Sequence, residues 1–290
     1  MSRDLLGARA IWAMQPEALA DLLQRESLSA KLPAGLAQLL GISASAAAKP
    51  ADPVREGATM VIPVSGPLTP LGSYSGTSTE RLIDQVRDAA NDDRIGAIIL
   101  KIMSPGGLVY GTQEAGDAVF EARQSKPVIA VADKYSFSAA HWLATQASAY
   151  YATPSGQVGS VGVRAGHTDT SGFEDKIGMK TTLIASSPKK IAAHPYGPLS
   201  DEDRAEMQAE IDEMAEAFNA AIARGRGIKA GDVPGVHGTG EVFSARRAAE
   251  RGIIDGVLTL REVIAKYSTP RARLSLMRQR AALQGQIASI

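Results

Sequence analysis

The sequence predicts an α/β fold, layered around a mainly parallel sheet with flanking helices. Three observations predict it. IGAIILKI (95–102) and PVIAVAD (127–133) are unbroken apolar runs, the pattern of strands buried on both faces. The segments before and between them, 78–93 and 111–125, carry apolar residues at helical spacing, as with Leu82, Ile83, Val86 and Ala90. The resulting alternation of strand and helix favours parallel neighbours joined by helical crossovers.

Taken in order, residues 1–42 read as short amphipathic helices, and SASAAAKPADPVREG (43–57) as a polar, proline-bearing linker. MVIPVSGPL (60–68) is a strand ended by Gly66 and Pro67. Ser78 is placed to cap the first helix of the compact domain. The loop SPGG (104–107) leaves the strand 95–102, and KYSFSAAHWLA (134–144) continues from the strand 127–133 into a helix. KTTLIAS (180–186) reads as a strand, and 200–227 as the longest helix, with Ser200 as cap, acidic first turns and a glycine stop. SARRAAERGIIDGV (244–257) reads as helix, glycine stop and short strand, and the run after Pro270 as a helical tail. The expected organisation is an N-terminal segment and linker over 1–57, a compact domain over 58–258 and a tail over 259–290.

The chain has 290 residues, 44% hydrophobic and 21% charged, enough to bury a sizeable core. Lys+Arg and Asp+Glu both number 31, so the balance offers no electrostatic footprint for nucleic acid or a membrane surface. With no cysteine, disulfides, thiolate metal sites and cysteine nucleophiles are excluded. The first 24 residues lack the continuous apolar run of a signal peptide or a membrane span, so a soluble, cytoplasmic protein is expected.

Ser138 is the candidate nucleophile. It follows a buried strand and opens a helix, where parallel strands present their carboxyl ends to a crevice. The helix start supplies backbone N–H groups that help an oxyanion. Gly106 and Gly107 leave the neighbouring strand at the same sheet edge and lack side chains that would block a substrate carbonyl. His141 lies three positions along the same helix, a spacing that need not bring its ring to the hydroxyl, and reads as a pocket-lining residue. A lysine is the other available base. Its ordinary pKa of about 10.4 requires desolvation or neighbouring positive charge before it takes a proton at neutral pH. Lys189 and Lys190 in SSPKKIAAHPYGP are both candidates.

The order of strand–SPGG, FSAAHW, VGSVGV (158–163) and a lysine loop resembles the signal peptide peptidase A family, serine–lysine peptidases of the Clp protease/crotonase-like fold. The resemblance spans roughly residues 58–258. It implies Ser138 as nucleophile and Ser160 as the hydroxyl that orients the lysine. Family loops place the base five residues before a proline, so Pro195 selects Lys190 as the catalytic lysine. The oxyanion hole implied is the backbone N–H of Gly106, Gly107 and Ala139. Two departures stand out: Ala139–Ala140 replaces the usual double glycine, and His141 the usual tyrosine.

The SAA variant is similar to the phage and prophage capsid-assembly branch of that family. The implied activity is a serine endopeptidase acting in head maturation, on a peptide or protein substrate such as capsid, portal or scaffold proteins. It requires neither metal nor other cofactor, and homo-oligomers are expected on the same grounds. The short run after residue 258 leads one to expect no fused scaffold. Three other readings are a soluble signal-peptide-peptidase-like enzyme that degrades membrane-derived peptides, a crotonase-like acyl-CoA enzyme and a catalytically idle capsid-associated protein.

Overall fold

The computed structural model describes residues 12–14, 51–72, 76–270, 274 and 277–278. Strand β1 is Trp12–Met14; β2 (Val54–Glu56) and β3 (Thr59–Ser65) form a hairpin; β4 is Leu68–Thr69 and β5 Thr77–Ser78. Helix α1 (Thr79–Asn91), β6 (Ala97–Ser104), β7 (Gly106–Leu108), α2 (Thr112–Ser125), β8 (Val128–Phe137), α3 (Ala139–Thr145), β9 (Ala149–Ala152) and β10 (Gln157–Gly159) follow. The rest comprises α4 (Ser171–Lys176), α5 (Asp201–Arg226), α6 (Val233–His237), β11 (Val242–Ser244), α7 (Ala245–Glu250), β12 (Gly256–Val257) and α8 (Leu260–Tyr267).

The main sheet runs β11-β10-β8-β6-β3-β2, with β9 and β12 added beside β8. β3, β6, β8, β9, β10 and β12 pair in parallel; antiparallel strands lie only at the ends, β2 on β3 and β11 on β10. The unbroken apolar character of β6 follows from its two covered faces. Ile98, Leu100 and Ile102 point into the core shared with α1, α2, α3 and α5, while Ala97 and Ile99 point into a second core closed by Val263 and Tyr267 of α8. Each fully buried Ile or Leu contributes roughly 1.5–3 kcal/mol.

The helix ends obey the expected signals. The Ser78 hydroxyl accepts from the Arg81 N–H, Ser200 caps α5 through the Asp203 N–H, and Gly227 closes α5 in the left-handed region at φ 71°. Thr259 and Glu262 add a reciprocal capping box at α8.

Three expectations differ. Residues 180–185 form no strand, and all of 179–190 are exposed. The β-branched run Thr181–Thr182 has strand propensity but no neighbouring strand to pair with among the described residues, and propensity alone does not hold a strand. Trp12–Met14 is a strand rather than part of a helix, because it finds a partner edge far along the chain; the other residues of 1–42 lie outside the described residues. The end of the expected linker, Val54–Glu56, pairs with β3 and extends the main sheet. Of the tail after Pro270, only 274 and 277–278 are described, all three helical.

Candidate active site

A small second sheet, β1-β7-β4-β5, grows from the point where β6 ends. Ser104 fixes that exit. Buried at the end of β6, it donates its hydroxyl to the Gly66 carbonyl at 2.7 Å and accepts the Gly106 N–H at 3.2 Å. The glycines of SPGG are demanded by close packing. A Cβ on Gly107 would collide with the Leu68 backbone, and Gly106, at φ 103°, lies against the carbonyls of Ala13 and Phe137.

Ser138 sits at the neighbouring strand exit, between β8 and α3, with φ 53° and ψ −118°. A non-glycine residue in this region stores about 1–3 kcal/mol of backbone strain. Tertiary bonds hold it there. The Ser138 N–H donates to the Gly159 carbonyl at 2.8 Å, and its carbonyl accepts from the Trp142 N–H at 2.8 Å to start α3. The Ser138 hydroxyl, almost fully buried, approaches the Gly162 carbonyl at 3.4 Å. The first turn of α3 leaves the Ala139 N–H without an intrahelical acceptor.

The turn that receives Ser138 carries the second serine. Ser160 is buried, has φ 57°, and donates its N–H to the Glu241 carbonyl at 2.7 Å. Gly159 and Gly162, at φ 117° and 149°, take backbone conformations that residues with side chains rarely adopt, and a Cβ on Gly159 would run into the Glu241 carbonyl. The fold therefore brings Ser138, the Ser160 turn and the SPGG loop together. Lys190 is not hydrogen-bonded to Ser138, whose hydroxyl faces the Gly162 carbonyl. It lies on a short 3-10 helix, Pro188–Ile191, is exposed, and has no side-chain hydrogen bond or ion pair among the described residues. Its neighbour Lys189 is bound to Glu202 and Glu206 at 2.9 and 3.2 Å, which holds that cation on α5 and raises its pKa.

His141, on α3, is wholly buried, and its ring nitrogens meet Tyr150 and His237 rather than Ser138. Nδ1 lies 3.3 Å from the Tyr150 hydroxyl and Nε2 lies 3.0 Å from Nδ1 of His237. Burial, with Arg226 close by, pushes both imidazoles below their ordinary range, His237 to about 3. Burial also drives the Tyr150 phenol upward. Both rings are therefore neutral, one donating and the other accepting across the contact. Sequence reasoning missed His237 and Tyr150 as the partners of His141, and Ser104 as the brace of the glycine loop. Only Ser104 had a signal, its place as the first residue of SPGG.

Comparison with known proteins gives the family. The model of peptidase family S49 matches residues 121–274. Capsid assembly protease C of Escherichia phage lambda is 31% identical over 209 residues, 70% of this chain and 47% of the relative. Head-tail preconnector protein GP5 of Enterobacteria phage P21 is 30% identical over 214 residues, covering 72% of this chain and 42% of the relative. Protease 4 of Salmonella typhi is 26% identical over 204 residues, 70% of this chain and 32% of the relative. The chain thus spans less than half the length of these three relatives. With a strained serine at the strand exit, the glycine loop beside it and a family match across more than half its length, the chain belongs to peptidase family S49.

Proposed function

We propose that the chain is a serine endopeptidase that works through a Ser138–Lys190 dyad. The observation that carries the reading is Ser138 itself: a strained serine at the exit of a central strand, flanked by SPGG and the Ser160 turn, in an S49 chain. Ser138 Oγ attacks the peptide carbonyl as Lys190 takes its proton. The N–H groups of Gly107, Gly106 and Ala139 hold the oxyanion, with Gly106 first leaving its bond to Ser104. Lys190 then protonates the leaving amine and activates the water that hydrolyses the ester. Ser160 orients the lysine. For this the exposed Lys190 must be carried to Ser138 and out of water. Phe173, Ile177, Met179 and Ile184, which precede Lys190 in the chain, are all exposed, and this fits closure by a second copy in a homo-oligomer.

The peptidase unit is assigned to 58–258, between an N-terminal segment (1–57) and a tail (259–290). The names of the two phage relatives support a role in head maturation, with capsid, portal or scaffold proteins as substrates, inside the host cytoplasm or the prohead. No described helix is long and apolar enough to cross a membrane. The test is hydrolysis of an unfolded protein substrate, followed by peptide mass mapping. The wild type should cleave and Ser138→Ala should not; equal cleavage by both would reject the assignment.

A further inference from the structure

The strand β1 sits in a telling place. Trp12, Ala13 and Met14 are all buried, Ala13 completely. On one side, the Trp12 N–H donates to the Arg164 carbonyl at 2.9 Å, and the Trp12 carbonyl accepts from the Arg164 N–H at 3.0 Å. On the other side β1 runs antiparallel to β7, with Ala13 opposite Gly107 and Met14 opposite Gly106. Successive residues of a strand turn their polar groups to opposite edges. Those of Trp12 face Arg164, so those of Ala13 face Gly107.

The Gly107 N–H is thereby aimed at the Ala13 carbonyl. A Cβ built on Gly106 would run into that same carbonyl oxygen, and would lie 3.0 Å from both the Met14 Cα and the carbonyl oxygen of Phe137, the residue before Ser138. The segment therefore lies as an added strand between the two backbone edges that flank the nucleophile. One edge is the glycine loop; the other is the run from Gly162, which receives the Ser138 hydroxyl, to Arg164. Extended peptides are recognised in this way, by main-chain pairing on both edges. The residue whose carbonyl faces the proposed oxyanion donor is an alanine, small enough to be fully enclosed.

We propose that Trp12–Met14 is an intramolecular occupant of the peptide groove, with Ala13 in the acyl position, and that it must leave before a substrate in trans reaches Ser138. The inference rests on the serine-peptidase reading above. It also assigns the groove a preference for a small residue in the acyl position, preceded by a large apolar one. An occupant of this kind lowers the apparent affinity for substrate in proportion to the time the groove is filled.

The test compares the rate at which a small serine-directed acylating probe modifies Ser138 in the full-length wild type and in Ala13→Pro. Proline removes the N–H that faces Gly107 and should expel the segment. Ala13→Asp, which would bury a charge in the groove, is the second variant, and urea unfolding establishes that each is folded. Labelling should be about tenfold faster in both variants, and the synthetic peptide IWAMQPE, added in trans, should slow it again. Equal labelling rates in wild type and folded variants would overturn the proposal while leaving the serine-peptidase reading intact. Faster labelling that the peptide does not slow would also overturn it. Absence of labelling at Ser138 in every form would instead reject the serine reading.

Discussion

The buried imidazole pair makes acid stability a measurable property of this fold. His141 and His237 meet at 3.0 Å, and protonating both would set N–H against N–H while Arg226 and Arg251 add further positive charge. In the unfolded chain each histidine titrates near its ordinary value of about 6.5. Folded His237 is held down to about 3. Between those values the unfolded state binds more protons than the native state, so stability rises with pH and falls as pH drops below about 6.5. At pH 5 the loss assigned to His237 alone is about 2 kcal/mol relative to pH 8, and His141 shifts in the same direction. Proton uptake on unfolding at pH 5.5 should include about 0.9 proton from the His237 ring, with His141 adding in the same direction.

The assay is urea unfolding from pH 5 to pH 8, for the wild type and for a variant carrying His141→Gln and His237→Asn. The wild type should lose stability steeply below pH 6.5. The variant should start lower at pH 8, because the Tyr150 hydroxyl loses its contact with His141, but its slope should be shallower by at least the His237 proton. An unchanged slope would refute the neutral-pair reasoning.

Other substitutions probe packing around α3. Gly225→Ala brings a Cβ to 2.8 Å from the Thr145 carbonyl carbon and 2.9 Å from Gln146 Nε2. Alanine's helix propensity favours the change by about 1 kcal/mol, but overpacking against backbone costs about 1–3 kcal/mol, so thermal denaturation should show a net loss. Phe218 stacks on Trp142 with centroids 4.7 Å apart and is fully buried, so Phe218→Ala should cost about 3–5 kcal/mol in urea unfolding and shift Trp142 emission. Tyr267→Phe removes the 2.8 Å contact with the Tyr151 hydroxyl. That hydroxyl keeps Lys266 at 2.8 Å, so chemical denaturation should show a loss of only about 0.5–1.5 kcal/mol.

Much of the fold is written locally. IGAIILKI reads as a strand covered on both sides, and Ala97–Ser104 is one; the caps at Ser78 and Ser200 fall where the residue types favour them. What stayed hidden depends on partners distant in sequence. Trp12–Met14 carries no strand pattern in three residues; it is extended because β7 and Arg164 offer edges to it. The run 180–186 is the opposite case, since its β-branched residues pair with no edge among the described residues. In the candidate site, the place of Ser138 at a strand-to-helix junction is legible because strand, serine and helix are contiguous. The His237 partner of His141 lies in another helix, and no local pattern announces it. Lys190 is proposed from the family's lysine–proline spacing, while the exposed position it takes here is the ordinary one for a lysine pair in a polar loop.

That position makes Lys190 the point on which the proposed mechanism turns. The most direct measurement is the acylation rate of Ser138 at pH 7.5 in the wild type and in Lys190→Ala, with the modified residue identified by mass spectrometry. A general base contributes about 10²–10⁴-fold, so the variant should be slower by that factor, and Lys189→Ala should match the wild type. Full-rate acylation in Lys190→Ala, or loss in Lys189→Ala instead, would contradict the dyad.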